Sequence, residues 1–168
     1  MYQVGDKVVY GTHGVCIIAD QEERLVDRKH VTYLVLEPIG QGSSRYLVPT
    51  HNEVAMGKLK KMLTKELLET LIQSEMVQKD GWIKDENQRK QLYRELISSG
   101  NREKLMQMIK TLYHHKTAQA AAGKKCHICD ENFLRDAEKL LISEVSVVMD
   151  MEPDLARQYI RRKLKEDA

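Results

Sequence analysis

The 168 residues predict an α+β chain: a small β-domain over residues 1–55, then an all-helical bundle of about five helices over residues 56–168. Three observations predict it. The first fifty residues carry short runs rich in β-branched side chains, separated by glycine turns. After Pro49 the spacing of apolar residues changes to the three-and-four rhythm of helices, and no further β-rich run is expected. Each predicted helix has one apolar stripe, so none can bury it alone.

The strands come in order. Lys7-Val8-Val9-Tyr10 is turned by Gly11-Thr12-His13-Gly14. Val15-Cys16-Ile17-Ile18-Ala19 follows, and the polar stretch from Asp20 to His30 suits a twisted hairpin. Val31-Thr32-Tyr33-Leu34-Val35-Leu36 is the strongest strand. Gly40 and Gly42 break it, and Arg45-Tyr46-Leu47-Val48 follows. Pro49 ends that strand because it lacks a ladder donor. Four or five short strands with tight turns make a strongly bent sheet or an SH3-like barrel.

The helices are equally marked. Thr64 caps one carrying Leu67, Leu68, Leu71 and Ile72, and Asp80-Gly81 breaks the chain after it. Leu92, Tyr93 and Leu96 lie on a second, which stops at Ser98-Ser99-Gly100. Asn101 caps the third, with Leu105, Met108, Ile109, Leu112 and Tyr113 on its stripe. Asp130 opens a fourth with Phe133, Leu134, Ala137, Leu140, Leu141 and Val145. Pro153 starts a fifth with Leu155, Tyr159, Ile160 and Leu164.

Composition narrows the function. No apolar run reaches the length of a membrane helix, and the start, Met1 to Asp6, lacks the pattern of a secretory signal. Three cysteines do not make a disulfide framework, so a cytoplasmic protein is expected. The net charge of +2 is unevenly spread. Residues 58–125 hold fifteen Lys and Arg against eight Asp and Glu, whereas both flanking segments are net acidic. Solvated helix faces would explain this; so would a surface that faces phosphates.

Chemical motifs are sparse. Cys126-His127-Ile128-Cys129 offers a thiolate pair, but a closed zinc site needs four ligands and no second pair follows. A redox reading wants a βαβ context that is absent. No nucleophile–base pair, phosphate loop or dinucleotide fingerprint stands out, so no enzyme, cofactor or metal is expected. Trp82 is different. It is the only tryptophan, in a polar loop followed by Lys84, Arg89 and Lys90. An aromatic among cations is how proteins wedge or stack against nucleic acid; a tryptophan folded back on its own bundle is the plain alternative.

Val4-Gly5-Asp6-Lys7-Val8-Val9-Tyr10, His13-Gly14-Val15, Tyr33-Leu34-Val35-Leu36 and Val48-Pro49 together resemble the RNA-polymerase-interacting domain of CarD-type regulators. The transcription-repair coupling factor shares that domain. Trp82, Ser99-Gly100-Asn101, Met108 to Tyr113 and Asp136 to Leu141 resemble the C-terminal half of the same family. The resemblance implies a Tudor- or SH3-like first domain that docks by an exposed strand on the polymerase β subunit, through Arg24, Arg45, Tyr46 and Leu47. It implies a helical domain that contacts promoter DNA in the minor groove without reading sequence. Trp82 would be the wedge, with Lys84, Arg89, Lys90, Lys124 and Lys125 facing phosphates. The implied function is a non-catalytic, monomeric regulator that stabilises the open complex. The competing expectation is an SH3-like adaptor with a purely structural helical domain.

Overall fold

The computed structural model describes residues 1–40 and 42–166 and divides into two compact units, Met1–Met62 and Leu63–Ala168. The first holds five strands, β1 (Lys7–Tyr10), β2 (Val15–Val26), β3 (Lys29–Pro38), β4 (Tyr46–Pro49) and β5 (Leu59–Lys61). They form one antiparallel sheet in the order β4-β3-β2-β1-β5. A one-turn helix, α1 (Glu53–Met56), precedes β5.

Local chemistry sets the turns. A 3-10 turn, Gly11–His13, joins β1 to β2, and Gly14 leaves it at φ 78°, ψ −152°, a conformation open to glycine. Asp27 and Arg28 both have positive φ, 49° and 65°, which gives the two-residue turn that matches the twist of the long β2–β3 hairpin. The β2–β3 register shifts between Ile18 and Asp20, a bulge that bends the sheet. Val8, Cys16, Ile18, Leu34, Leu36, Val48 and Leu59 make its core.

Strand β5 departs from the sequence expectation of no strand after Pro49. It is only three residues long and two of them are lysines, so it carries no apolar pattern; pairing with β1 makes it a strand. It also carries the first unit to Met62, past the expected boundary at residue 55.

The second unit contains α2 (Lys65–Ile72), α3 (Glu75–Gln78), α4 (Glu86–Ser99), α5 (Arg102–Ala121), α6 (Ile128–Val148) and α7 (Pro153–Glu166). Caps fix the ends. Thr64 accepts a hydrogen bond from Leu67 N–H, Asp85 from Gln88 N–H and Asn101 from Lys104 N–H. Gly100 closes α4 in the left-handed region at φ 63°. Helix α5 is the central post: α2, α3, α4, α6 and α7 all pack on it. Leu105, Met106, Met108, Ile109, Leu112 and Tyr113 are all buried there. Helix α6 begins at Ile128, two residues before Asp130, and Asp130 is buried in its first turn. No helix of the described residues is long and apolar enough to cross a membrane.

Candidate functional site

The loop between α3 and α4 is tied to α4 and α5 at three points and braced once within itself. Gln107 Nε2 donates to the carbonyl of Lys79 at 3.3 Å, and Gly81 N–H donates to Thr111 Oγ1 at 3.1 Å. Trp82 N–H donates to Asp80 Oδ1 at 3.0 Å, and Arg89 Nη1 donates to the carbonyl of Ile83 at 2.9 Å. A Cβ at Gly81 would lie 3.1 Å from Gln107 Cδ and 3.3 Å from Thr111 Oγ1, so glycine lets the loop lie close against α5.

Trp82 is half-buried against the helical core. The His115 ring stacks on it with centroids 3.5 Å apart and planes 15° apart. The Arg89 guanidinium carbon lies 4.4 Å from the indole centroid. Two groups this close cannot share one face of a ring without overlapping, so they cover opposite faces.

Arg89 is 3% exposed. Its Nε and Nη2 bind Asp130 Oδ1 and Oδ2 at 2.9 and 3.1 Å, the bidentate arrangement that suits guanidinium and carboxylate. Burial works against the charge on Arg89, but the hydrogen bonds and charge of Asp130 outweigh it and raise its pKa. Every donor Arg89 uses in these bonds points inward, to Asp130 and Ile83, and its guanidinium lies against Trp82. Beneath the pair lies Tyr93, 1% exposed, its pKa pushed up to about 12 by burial first and then by the charge on Asp130.

The other cations divide. Lys84, Lys124 and Lys125 are exposed and enter none of the ion pairs of the described residues. Lys90 is held at 2.7 Å by Glu86, whose pKa that lysine lowers. His115 and Asp130 lie far along the chain from Trp82, and its sequence neighbourhood does not point to them. Signals for the site do exist in the sequence. Arg89 sits on the stripe of Tyr93 and Leu96, where an arginine needs a buried partner, and His115 continues the stripe of α5 three residues beyond Leu112.

The first unit presents a second surface. Register places Glu22 opposite Tyr33, Tyr33 opposite Pro49 and Val35 opposite Leu47. Strand alternation then puts Arg24, Tyr33, Arg45 and Leu47 on one face of the sheet. Arg24 is hydrogen-bonded to Glu22 at 2.8 Å and lies 6.0 Å from the Tyr33 ring centroid. Arg45 pairs with Glu37 at 3.2 Å, and Leu47 is 37% exposed. Tyr46 points to the opposite face, packing on the sheet core and contacting Tyr10 and His13 with centroids 5.6 and 4.3 Å away.

The cysteine pair gives no comparable assembly. Burial pushes the Cys126 thiol up, against thiolate chemistry, and Cys129 Sγ lies 3.8 Å from Glu86 Oε1. Among the described residues no group of three or more His, Cys, Asp or Glu is placed to hold a metal ion.

Two family models match this chain. Residues 2–60 match the CarD-like/TRCF RID domain, and residues 66–161 match the CarD C-terminal domain. No curated protein matches it.

Proposed function

The chain belongs to the CarD family of RNA-polymerase-interacting transcription regulators, and from that premise we propose that it stabilises the open promoter complex without catalysis of its own. The β4 edge and the face of Arg24, Arg45 and Leu47 dock on the polymerase β subunit. An exposed strand offers backbone hydrogen bonds to a partner strand, and side chains on the face add selectivity. The helical unit meets promoter DNA in the minor groove, at the upstream edge of the bubble. Lys84, Lys124 and Lys125 face phosphates there, with Lys90 released from Glu86 on binding.

The observation that carries this reading is the Trp82 assembly. A half-buried tryptophan on a loop tied at three points, with the exposed Lys84 two residues on, is more than a core residue needs. A wedge that fits distorted DNA better than relaxed duplex shifts the melting equilibrium by that difference in affinity. No base-specific contact is required, so the protein acts on promoters through their deformability.

Two assays test the reading together: capture of core RNA polymerase by the purified protein, and gel shift on a promoter with a pre-opened bubble across a salt series. The proposal expects capture in the first and binding that weakens with salt in the second. A generic adaptor would bind a protein partner and show no shift at any salt.

A further inference from the structure

We infer that the groove between α6 and α7 binds a compact polyphosphate, such as the phosphate chain of a nucleotide. The inference goes beyond the reading above and stands without it.

Helices α6 and α7 are joined by a short connection and pack on each other and on α5, so they run antiparallel. Between them lies a cleft of about 540 Å³, a size that suits a small molecule. Two cations from each helix line it, Arg135 and Lys139 on α6 and Arg157 and Arg161 on α7, with Lys116 of α5 beside them. Each pair is spaced by four, so its members are neighbours on the helix surface and repel. Like charges gathered around one cleft cost stability, and an anion bound among them removes that cost.

The carboxylates of the cleft leave much of this charge over. Glu138 is buried and fully engaged: it accepts from the Tyr113 hydroxyl and from Arg161 Nε and Nη2, the last two at 3.0 and 3.2 Å. Glu131 pairs with Lys116 at 3.7 Å. Arg157 has Asp154 at 3.6 Å, a loose pair between two exposed side chains. Arg135 donates to the neutral Asn132 at 2.9 Å, and neither it nor Lys139 enters an ion pair of the described residues. Arg135, Lys139 and Arg157 are thus available to a ligand. Two of them carry guanidinium forks, which match phosphate oxygens two at a time.

The distribution of charge favours a compact anion over a nucleic-acid strand. An exposed carboxylate stands one turn before each pair, Glu131 before Arg135 and Asp154 before Arg157. With the helices antiparallel, these two lie at opposite ends of the groove. A chain of two or three phosphates fits between them, whereas a continuous backbone would have to run past both.

The test is calorimetric titration of the full chain with inorganic tripolyphosphate, with ATP and with a short DNA duplex, at about 0.15 M salt, where distant charges are screened. Tripolyphosphate should bind. Arg157→Gln and Lys139→Gln, both at exposed positions, should each weaken it about tenfold and leave the denaturant midpoint in place. Lys65→Gln, the same change of charge at an exposed position of α2, should leave binding unchanged. ATP binding tighter than tripolyphosphate assigns the groove to a nucleotide, and equal or weaker ATP binding assigns it to the phosphate chain alone; both support the proposal. Failure of tripolyphosphate to bind, or equal weakening by Lys65→Gln, overturns it. Duplex binding that loses as much from Arg157→Gln and Lys139→Gln as tripolyphosphate does also overturns it, because the groove would then belong to the DNA surface.

Discussion

At the scale of single residues, the buried Arg89–Asp130 pair is the most open to test. Removing one member of such a pair strands the other charge in a low dielectric. Arg89→Ala should therefore cost about 3–5 kcal/mol of unfolding free energy, read from a denaturant midpoint; a loss typical of a surface lysine would show that Asp130 finds water. His115 carries a pH signature. Burial foremost, with Arg89 and His127 adding to it and Asp130 and Asp80 opposing, holds its pKa below the ordinary histidine value. The folded state thus refuses a proton that the unfolded chain accepts. The linked stability is whole above about pH 6.5, the unfolded value, and is lost as pH falls from there toward the lower folded value. His115→Phe should flatten the drop in denaturant midpoint between about pH 7.5 and about pH 5.5, and equal drops in the two proteins would count against it. On the sheet face, Arg24 is exposed and pairs locally with Glu22. Arg24→Glu should change stability by no more than about 0.5 kcal/mol, yet weaken polymerase capture by setting like charges at the rim. A folded variant that captures polymerase as well as wild type would remove Arg24 from the surface.

At the scale of elements, β4 invites a backbone experiment. Thr50 N–H donates to the carbonyl of Thr32 at 3.0 Å, which fixes the parity of the ladder: Tyr46 and Val48 bond inward to β3, and Leu47 turns its N–H and carbonyl outward. Pro49 has no donor, so Leu47 supplies one for an added strand. Leu47→Pro deletes that donor and spares the ladder, and should weaken polymerase capture about three- to tenfold while Leu47→Ala, which keeps the N–H, weakens it less. Equal effects would mean that the side chain, not the backbone, makes the contact. The same parity explains what is legible in the sequence. Period two separates Arg45 and Leu47 from Tyr46, so the inward turn of Tyr46 is readable once Val48 is assigned to the core. Caps at Thr64, Asn101 and Gly100 are readable because a cap is a local bond. Strand β5 is not, because Leu59, Lys60 and Lys61 acquire strand character only from β1. Nor is the setting of Trp82. His115 and Arg89 lie on two different helices, and Asp130 pairs with Arg89 across 41 positions of chain, so folding alone brings them together.

At the scale of the whole molecule, the chain divides into two compact units, each with its own core. The proposed polymerase surface lies in the first and the proposed DNA surface in the second, so their effects should separate by mutation. Trp82→Ala is the decisive variant. It removes a half-buried ring, so some loss of stability is expected, about 0.5–3 kcal/mol, less than the ~3–5 kcal/mol of a fully buried tryptophan. Polymerase capture should be unchanged, because no proposed docking residue is touched. Open-complex lifetime should fall. The lifetime should shorten about tenfold, the equivalent of ~1.4 kcal/mol of lost stabilisation. Neutralising Lys84, Lys124 or Lys125 should act differently, weakening binding on all promoters alike and lowering the salt dependence by about one unit of slope for each lysine neutralised. The two behaviours separate wedge from phosphate clamp in one promoter-lifetime series run at several salt concentrations. A Trp82→Ala protein that stays folded, captures polymerase and holds open complexes as long as wild type would leave the helical unit without its proposed role.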